Sequence, residues 1–219
     1  MTSPRICIAG IEVDSKEHLR PVTAPDDLIT RSLLVEEGGP LQLGVGLELG
    51  PTTPTPTRPE TEDHYSETRN FEALGVLTDR EYLDLLDQVD DGDLASAFGP
   101  GLVRDGNTYA MELGGGDHSL ACLRAGDDDR LSIEFGKLYL RASEGARIKV
   151  TDARLFKSDQ KTVRTEAVHN VNARLDDGVG ARLMFGLSRP WRKPDDDQER
   201  HWLQLNGICL EDDPLGEMP

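Results

Sequence analysis

RICIAGIEVDSKEHLRPVT, residues 5–23, is the stretch from which the rest of the chain is read. Ile6-Cys7-Ile8-Ala9-Gly10-Ile11-Glu12-Val13 is rich in β-branched residues and suits a strand with apolar groups on both faces. Asp14-Ser15-Lys16-Glu17 supplies polar turn residues, and His18-Leu19-Arg20 returns as a second strand that Pro21 is expected to stop. Gly10 inside the run predicts a bulge or sharp bend, because a residue without a side chain adds nothing to sheet packing. A strongly coiled sheet, as at the corner of a small barrel, fits this hairpin better than a flat one.

Further along, residues 26–37 read as a short helix or loop, broken by Gly38-Gly39-Pro40. Leu41, Leu43, Val45, Leu47 and Leu49 alternate with Gln42, Gly44, Gly46 and Glu48, the pattern of a half-buried strand. PTTPTPTRP, residues 51–59, favours an extended path and is placed as a loop or edge segment. His64, Tyr65 and Arg69 are read as surface chemistry. Thr78-Asp79-Arg80-Glu81 has the form of a capping box, and Tyr82, Leu83, Leu85, Leu86 and Val89 behind it predict an amphipathic helix over 78–89. Asp90-Asp91-Gly92-Asp93 ends it without the glutamate that closes a calcium loop. A shorter helical piece spans 94–98, and Gly99-Pro100-Gly101 is the candidate boundary between halves. The second half reads as strands over 108–113, 118–124, 131–141, 146–156, 168–175, 181–187 and 202–210, with Asp177-Gly178 as a hairpin turn. Gly114-Gly115-Gly116-Asp117 is a turn, since no Lys-Ser/Thr pair follows it as in a phosphate loop.

Cys7-Ile8-Ala9-Gly10-Ile11-Glu12-Val13 followed by Leu19-Arg20-Pro21-Val22-Thr23 resembles the start of the dual OB-containing domain family of bacteria and archaea. The resemblance continues through His64-Tyr65-Ser66-Glu67, 74–86 and 202–210, and so covers nearly the whole chain. It implies two OB-like barrels, a place among prokaryotic defence and nucleic-acid-processing proteins, and no established catalytic residues. One departure is that a Cys- and Lys-bearing segment expected ahead of the hairpin has no counterpart in Met1-Thr2-Ser3-Pro4.

The 219 residues suffice for one large all-β domain or two small ones. Cys7, Cys122 and Cys209 are far apart and set in apolar runs, so all three are expected to be buried thiols in a reducing cytoplasm. Neither a leader signal nor a membrane-length apolar run is evident, and the expectation is a soluble cytoplasmic protein. The formal net charge of −17 argues against binding nucleic acid with the whole surface. The charges are unevenly spread. Eight of the 24 basic residues but only three of the 41 acidic ones lie in 137–164, leaving that segment at +5 and the remainder at −22.

Within 131–141, Leu131, Ile133 and Phe135 share one phase and Leu138, Leu140 and Ala142 the other, as a bulge at Gly136 would allow. The change leaves Lys137, Tyr139 and Arg141 side by side and pointing outward. A ring to stack a base, flanked by cations to track phosphates, is what a single-stranded nucleic acid requires. Arg147 and Lys149, opposite in phase to Ile148 and Val150, extend the row; the bland alternative is a solvated strand face. Arg189, Trp191 and Arg192 form a second basic-aromatic patch ahead of Asp195-Asp196-Asp197, where Trp191 could instead cap the core. The five histidines lack metal-ligand spacing and no serine sits in a nucleophile elbow, so neither a cofactor, a metal nor an enzyme is expected.

The expectation is therefore an all-β chain of two OB-like barrels with one inserted or bridging helix. The first barrel would span 1–100, with the helix near 78–89, and the second 101–219. The expected function is a non-enzymatic nucleic-acid-binding module, for single-stranded DNA or RNA, working with other subunits of a prokaryotic defence or nucleic-acid-processing system. The competing expectation is an acidic interaction or regulatory subunit that meets a protein partner or mimics DNA.

Overall fold

The structure is a computed structural model that describes residues 5–194 and 197–216. In chain order the strands are β1 (Gly10–Ile11), β2 (His18–Val22), β3 (Val45–Glu48), β4 (Thr53–Pro54), β5 (Asp63–Tyr65) and β6 (Glu72–Val76). The helices α1 (Asp79–Gln88) and α2 (Leu94–Phe98) follow, then β7 (Leu102–Asp105), β8 (Thr108–Glu112), β9 (Leu120–Arg124), β10 (Arg130–Glu134), β11 (Lys137–Arg141) and β12 (Arg147–Val150). Helix α3 (Thr165–Asp176) precedes β13 (Ala181–Leu187) and β14 (Arg200–Leu210). The fold is mostly β, with three α-helices among the described residues, and no helix there is long and apolar enough to cross a membrane.

The first hairpin forms in a shorter version than its sequence predicts. Gly10 opens β1, opposite Leu19, instead of interrupting a longer strand with a bulge. Ahead of it the chain is held by the Ile6 N–H donating to the Ile29 carbonyl at 3.0 Å, and Cys7 is exposed, against the expectation of a buried thiol. β2 runs through Pro21 and pairs in parallel with β5 (Arg20↔Asp63, Pro21↔His64, Val22↔Tyr65). Proline is tolerated because the bonds to β5 come from the residues on either side: Arg20 N–H donates to the Glu62 carbonyl at 2.8 Å, and the Val22 carbonyl accepts from Ser66 at 2.9 Å. β4, from the proline-rich run, is the edge of this four-stranded sheet β1-β2-β5-β4. The strand expected over 41–49 narrows to β3, whose partner is β6.

The second half is built on one large sheet in the order β10-β11-β12-β14-β13-β9, with β8 and then β7 added beside the start of β14. β12 and β14 are parallel; the other pairings are antiparallel. One face of this sheet carries the main core: Leu131, Leu138, Leu140, Ile148, Val150, Leu183, Phe185, Leu203, Leu205 and Ile208, closed over by Ala167, Val168 and Val171 of α3 and by Ala97 and Phe98 of α2. Phe98 thus belongs to the second core although it precedes the glycine break at 99–101.

α1 begins at the predicted capping box: Thr78 accepts from the Glu81 N–H while Glu81 accepts from the Thr78 N–H. Its Tyr82 and Leu86, with Val89 just after its end, pack on Cys122 and Cys209 from the large sheet and on Ile11, Leu43 and Leu77 from the first half. Burial pushes both the Cys122 and Cys209 thiols up to about 12.

Three sequence expectations for the second half are corrected. Residues 168–175, read as a strand, lie in α3. Val168, Val171 and Leu175 recur at helical spacing, and the positions that strand alternation would need, 170 and 172, are both asparagine. Asp177-Gly178 is the end of that helix, not a hairpin turn: Gly178, at φ 84°, donates to the Leu175 carbonyl at 3.1 Å and Val179 to the Arg174 carbonyl at 2.9 Å, a Schellman closure. The single bulged strand over 131–141 is in fact the hairpin β10–β11, its phase change produced by a two-residue turn at Phe135-Gly136.

Candidate nucleic-acid interface

Alternation along β11 and β12 sends Leu138, Leu140, Ile148 and Val150 into the core and leaves Lys137, Tyr139, Arg141, Arg147 and Lys149 on the outer face. The register sets Tyr139 opposite Lys149 and Arg141 opposite Arg147, so the five residues expected to act together do share one surface. The Arg147 guanidinium lies over the Tyr139 ring, 4.8 Å from its centroid. Arg141 and Arg147, like charges directly opposed, repel across the strands. Glu134 offsets this from β10: it accepts from Arg141 at 2.8 Å, from Arg147 at 2.7 Å and from the Ser132 hydroxyl at 3.1 Å. The Arg141 hydrogen bond, assisted by Ser132 and the two positive charges, holds the Glu134 carboxyl below the usual carboxylate range despite its partial desolvation. Lys137 and Lys149 are exposed and make no ion pair among the described residues. The row therefore presents two uncommitted ammonium groups, two arginines shared with one carboxylate, and one ring.

The second patch is dispersed by its partners. Arg189 donates to Asp63 at 2.6 Å and lies 3.4 Å from Glu60, both buried carboxylates of the first half. Its burial works against the charge, but the bonds to Asp63 and Glu60 outweigh it and hold the guanidinium more firmly protonated than usual. Trp191 is half exposed, and its carbonyl accepts from the Trp202 indole at 2.9 Å. Lys193 sits 3.4 Å from the Trp202 ring centroid and 3.3 Å from Asp105. Arg192 is exposed; Asp195 and Asp196 of the neighbouring acidic run lie outside the described residues. Among the described residues no hydrogen bond, ion pair or ring contact links this patch to the β11–β12 row.

Sequence reasoning passed over Glu134 and Phe135. The signal was the apolar phase change at a Phe-Gly pair, which lacks the Asn-Gly or Asp-Gly form of the commonest hairpin turns. Among the described residues no group of three or more His, Cys, Asp or Glu is placed to hold a metal ion.

A family model, the dual OB-containing domain, matches residues 1–208. The chain belongs to that family. No curated protein and no solved structure matches it. For a dual OB-containing domain, the region of interest is the outer surface of a curled sheet, because OB folds bind oligonucleotides and oligosaccharides across their second and third strands and the adjoining loops.

Proposed function

We propose that this protein is a non-enzymatic module that binds single-stranded DNA or RNA across the outer face of β11 and β12, within a multiprotein prokaryotic defence or nucleic-acid-processing system in the cytoplasm. The observation that carries this reading is the convergence of Lys137, Tyr139, Arg141, Arg147 and Lys149 on one face in the register Tyr139↔Lys149, Arg141↔Arg147. The sheet order supports it. With β9 and β10 counted as two halves of one first strand, β11, β12, β13 and β14 are the second to fifth, and the order becomes 1-2-3-5-4-1 with the third and fifth parallel. That order matches the connectivity of an OB-like Greek-key barrel, in which ligands lie across the second and third strands, the places β11 and β12 take here. As part of the same proposal the chain forms two OB-like units divided near 99–101, with α1 bridging them.

The test is fluorescence anisotropy of labelled single strands over a salt series. Tyr139→Ala is expected to cost about 1–3 kcal/mol of affinity with the fold intact, the worth of one stacked base. Lys149→Ala is expected to flatten the logarithmic salt slope by about 0.7, one phosphate contact fewer on a single strand. Binding untouched by both changes, or none even at low salt, would remove this face from consideration.

A second reading has its own observation. Asp79, Glu81, Asp84 and Asp87 are exposed on α1, close in the chain to Leu74 and Val76 of β6, which are 69% and 55% exposed. An acidic surface with exposed apolar groups suits a basic protein partner, and stoichiometric co-purification with such a partner, lost on charge reversal along α1, would favour it.

A further inference from the structure

Phe135 stands at the tip of the β10–β11 hairpin with its whole side chain in solvent, at 102% relative exposure. It has φ +51° and Gly136 has φ +75°, so both central residues of the turn are left-handed, between the paired residues Glu134 and Lys137. Turns of this kind favour Asn, Asp or Gly at the first central position, because a bulky side chain crowds the backbone in that region. Burial does not compensate, since Phe135 belongs to neither apolar cluster. The fold gains nothing from a ring here that asparagine would not give it at lower strain. We infer that Phe135 is a base-stacking residue, a second aromatic seat for an unpaired nucleobase of the same strand that crosses Tyr139.

The inference rests on the proposed nucleic-acid face and specifies its ligand. Lys137, exposed and without an ion pair among the described residues, lies between Phe135 and Tyr139 along the chain, about 7 Å from Tyr139 at the usual strand rise. A cation between two rings suits a backbone phosphate between two splayed bases. Bases within a duplex are already stacked on each other, so two protein rings along one edge select single strands or unpaired ends over a continuous duplex.

The experiment compares wild type, Phe135→Asn, Phe135→Trp and Tyr139→Ala, each titrated against a labelled oligothymidylate and against a blunt duplex, with thermal unfolding measured in parallel. Phe135→Asn is expected to weaken single-strand affinity about fivefold or more while raising the unfolding midpoint. Phe135→Trp should keep the affinity, and the wild type should prefer the single strand. If Phe135→Asn binds like wild type while Tyr139→Ala is impaired, the second seat is overturned and the β11–β12 face stands. If the unfolding midpoint falls in Phe135→Asn, the ring is structural and the inference is likewise overturned. If the wild type binds no oligonucleotide at low salt, both the seat and the face are overturned.

Discussion

Glu134 is the residue on which the charge of the β11–β12 face turns, because one carboxylate occupies two of its cations, Arg141 and Arg147. Its folded-state pKa is depressed, so the stability it contributes is present above its unfolded value and is lost as pH falls through the folded one. Near neutral pH it is accordingly a fixed negative charge at the site. Replacing it by Glu134→Gln removes that charge and frees both guanidinium groups for phosphate. The expected result is tighter single-strand binding with a logarithmic salt slope steeper by up to about 1.4, the value of two added phosphate contacts. The same variant should lose the acid-side part of the stability profile, seen in thermal unfolding across pH. Affinity that stays level or falls would place Arg141 and Arg147 off the ligand's path.

At the scale of elements, the capping box at Thr78 and the core-facing alternation of β11 and β12 were legible because each depends on residues close in sequence. The same holds for the outward row, since a strand fixes the direction of alternate side chains once its partners are known. α3 passes for a strand when Asp177-Gly178 is taken as a hairpin turn, and that pair serves a helix end as well as it serves a hairpin. The closing contact of α3 could not be read at all, because it joins residues 41 apart: the Asn172 side chain accepts from the Leu131 N–H and donates to the Leu131 carbonyl, both at 2.9 Å. This amide takes the place of a neighbouring strand at the edge of β10, satisfying a donor and an acceptor that would otherwise lack partners. Asn172→Ala should therefore destabilise the fold by about 2 kcal/mol. Hydrogen exchange should quicken first at the Leu131 amide. Unchanged protection at that amide would show that solvent or another group already serves the edge.

Across the whole molecule, buried charge of the first half meets the second half, beside the packing of Tyr82, Leu86 and Val89 on Cys122 and Cys209. The first half contributes few buried apolar side chains outside α1, Ile29 and Leu41 among them, whereas Arg20, Glu60, Glu62 and Asp63 are buried there. Those acids face the second half. Asp63 takes hydrogen bonds from Arg20 and Arg189 at 2.6 Å each, and Glu60 lies 3.5 Å from His201. Glu62 accepts from the Ser119 N–H at 2.7 Å, the Ser119 hydroxyl at 2.9 Å and the Leu120 N–H at 3.1 Å, which fixes the start of β9. In a chain with 41 acidic residues none of this could be singled out from sequence. Glu62→Ala would leave three buried donors without an acceptor, a loss of upward of about 3 kcal/mol. Glu62→Gln keeps one carbonyl acceptor and should lose less. Urea unfolding followed by tryptophan fluorescence reports on this junction, because Trp202 begins next to His201 on β14 and Trp191 follows Arg189 in the preceding loop. If Glu62 couples the halves, the Ala variant's midpoint should fall well below that of Gln. Equal midpoints for both variants and wild type would mean that Glu62 does not couple the halves, leaving that role to contacts such as Asp63 with Arg189 and Glu60 with His201.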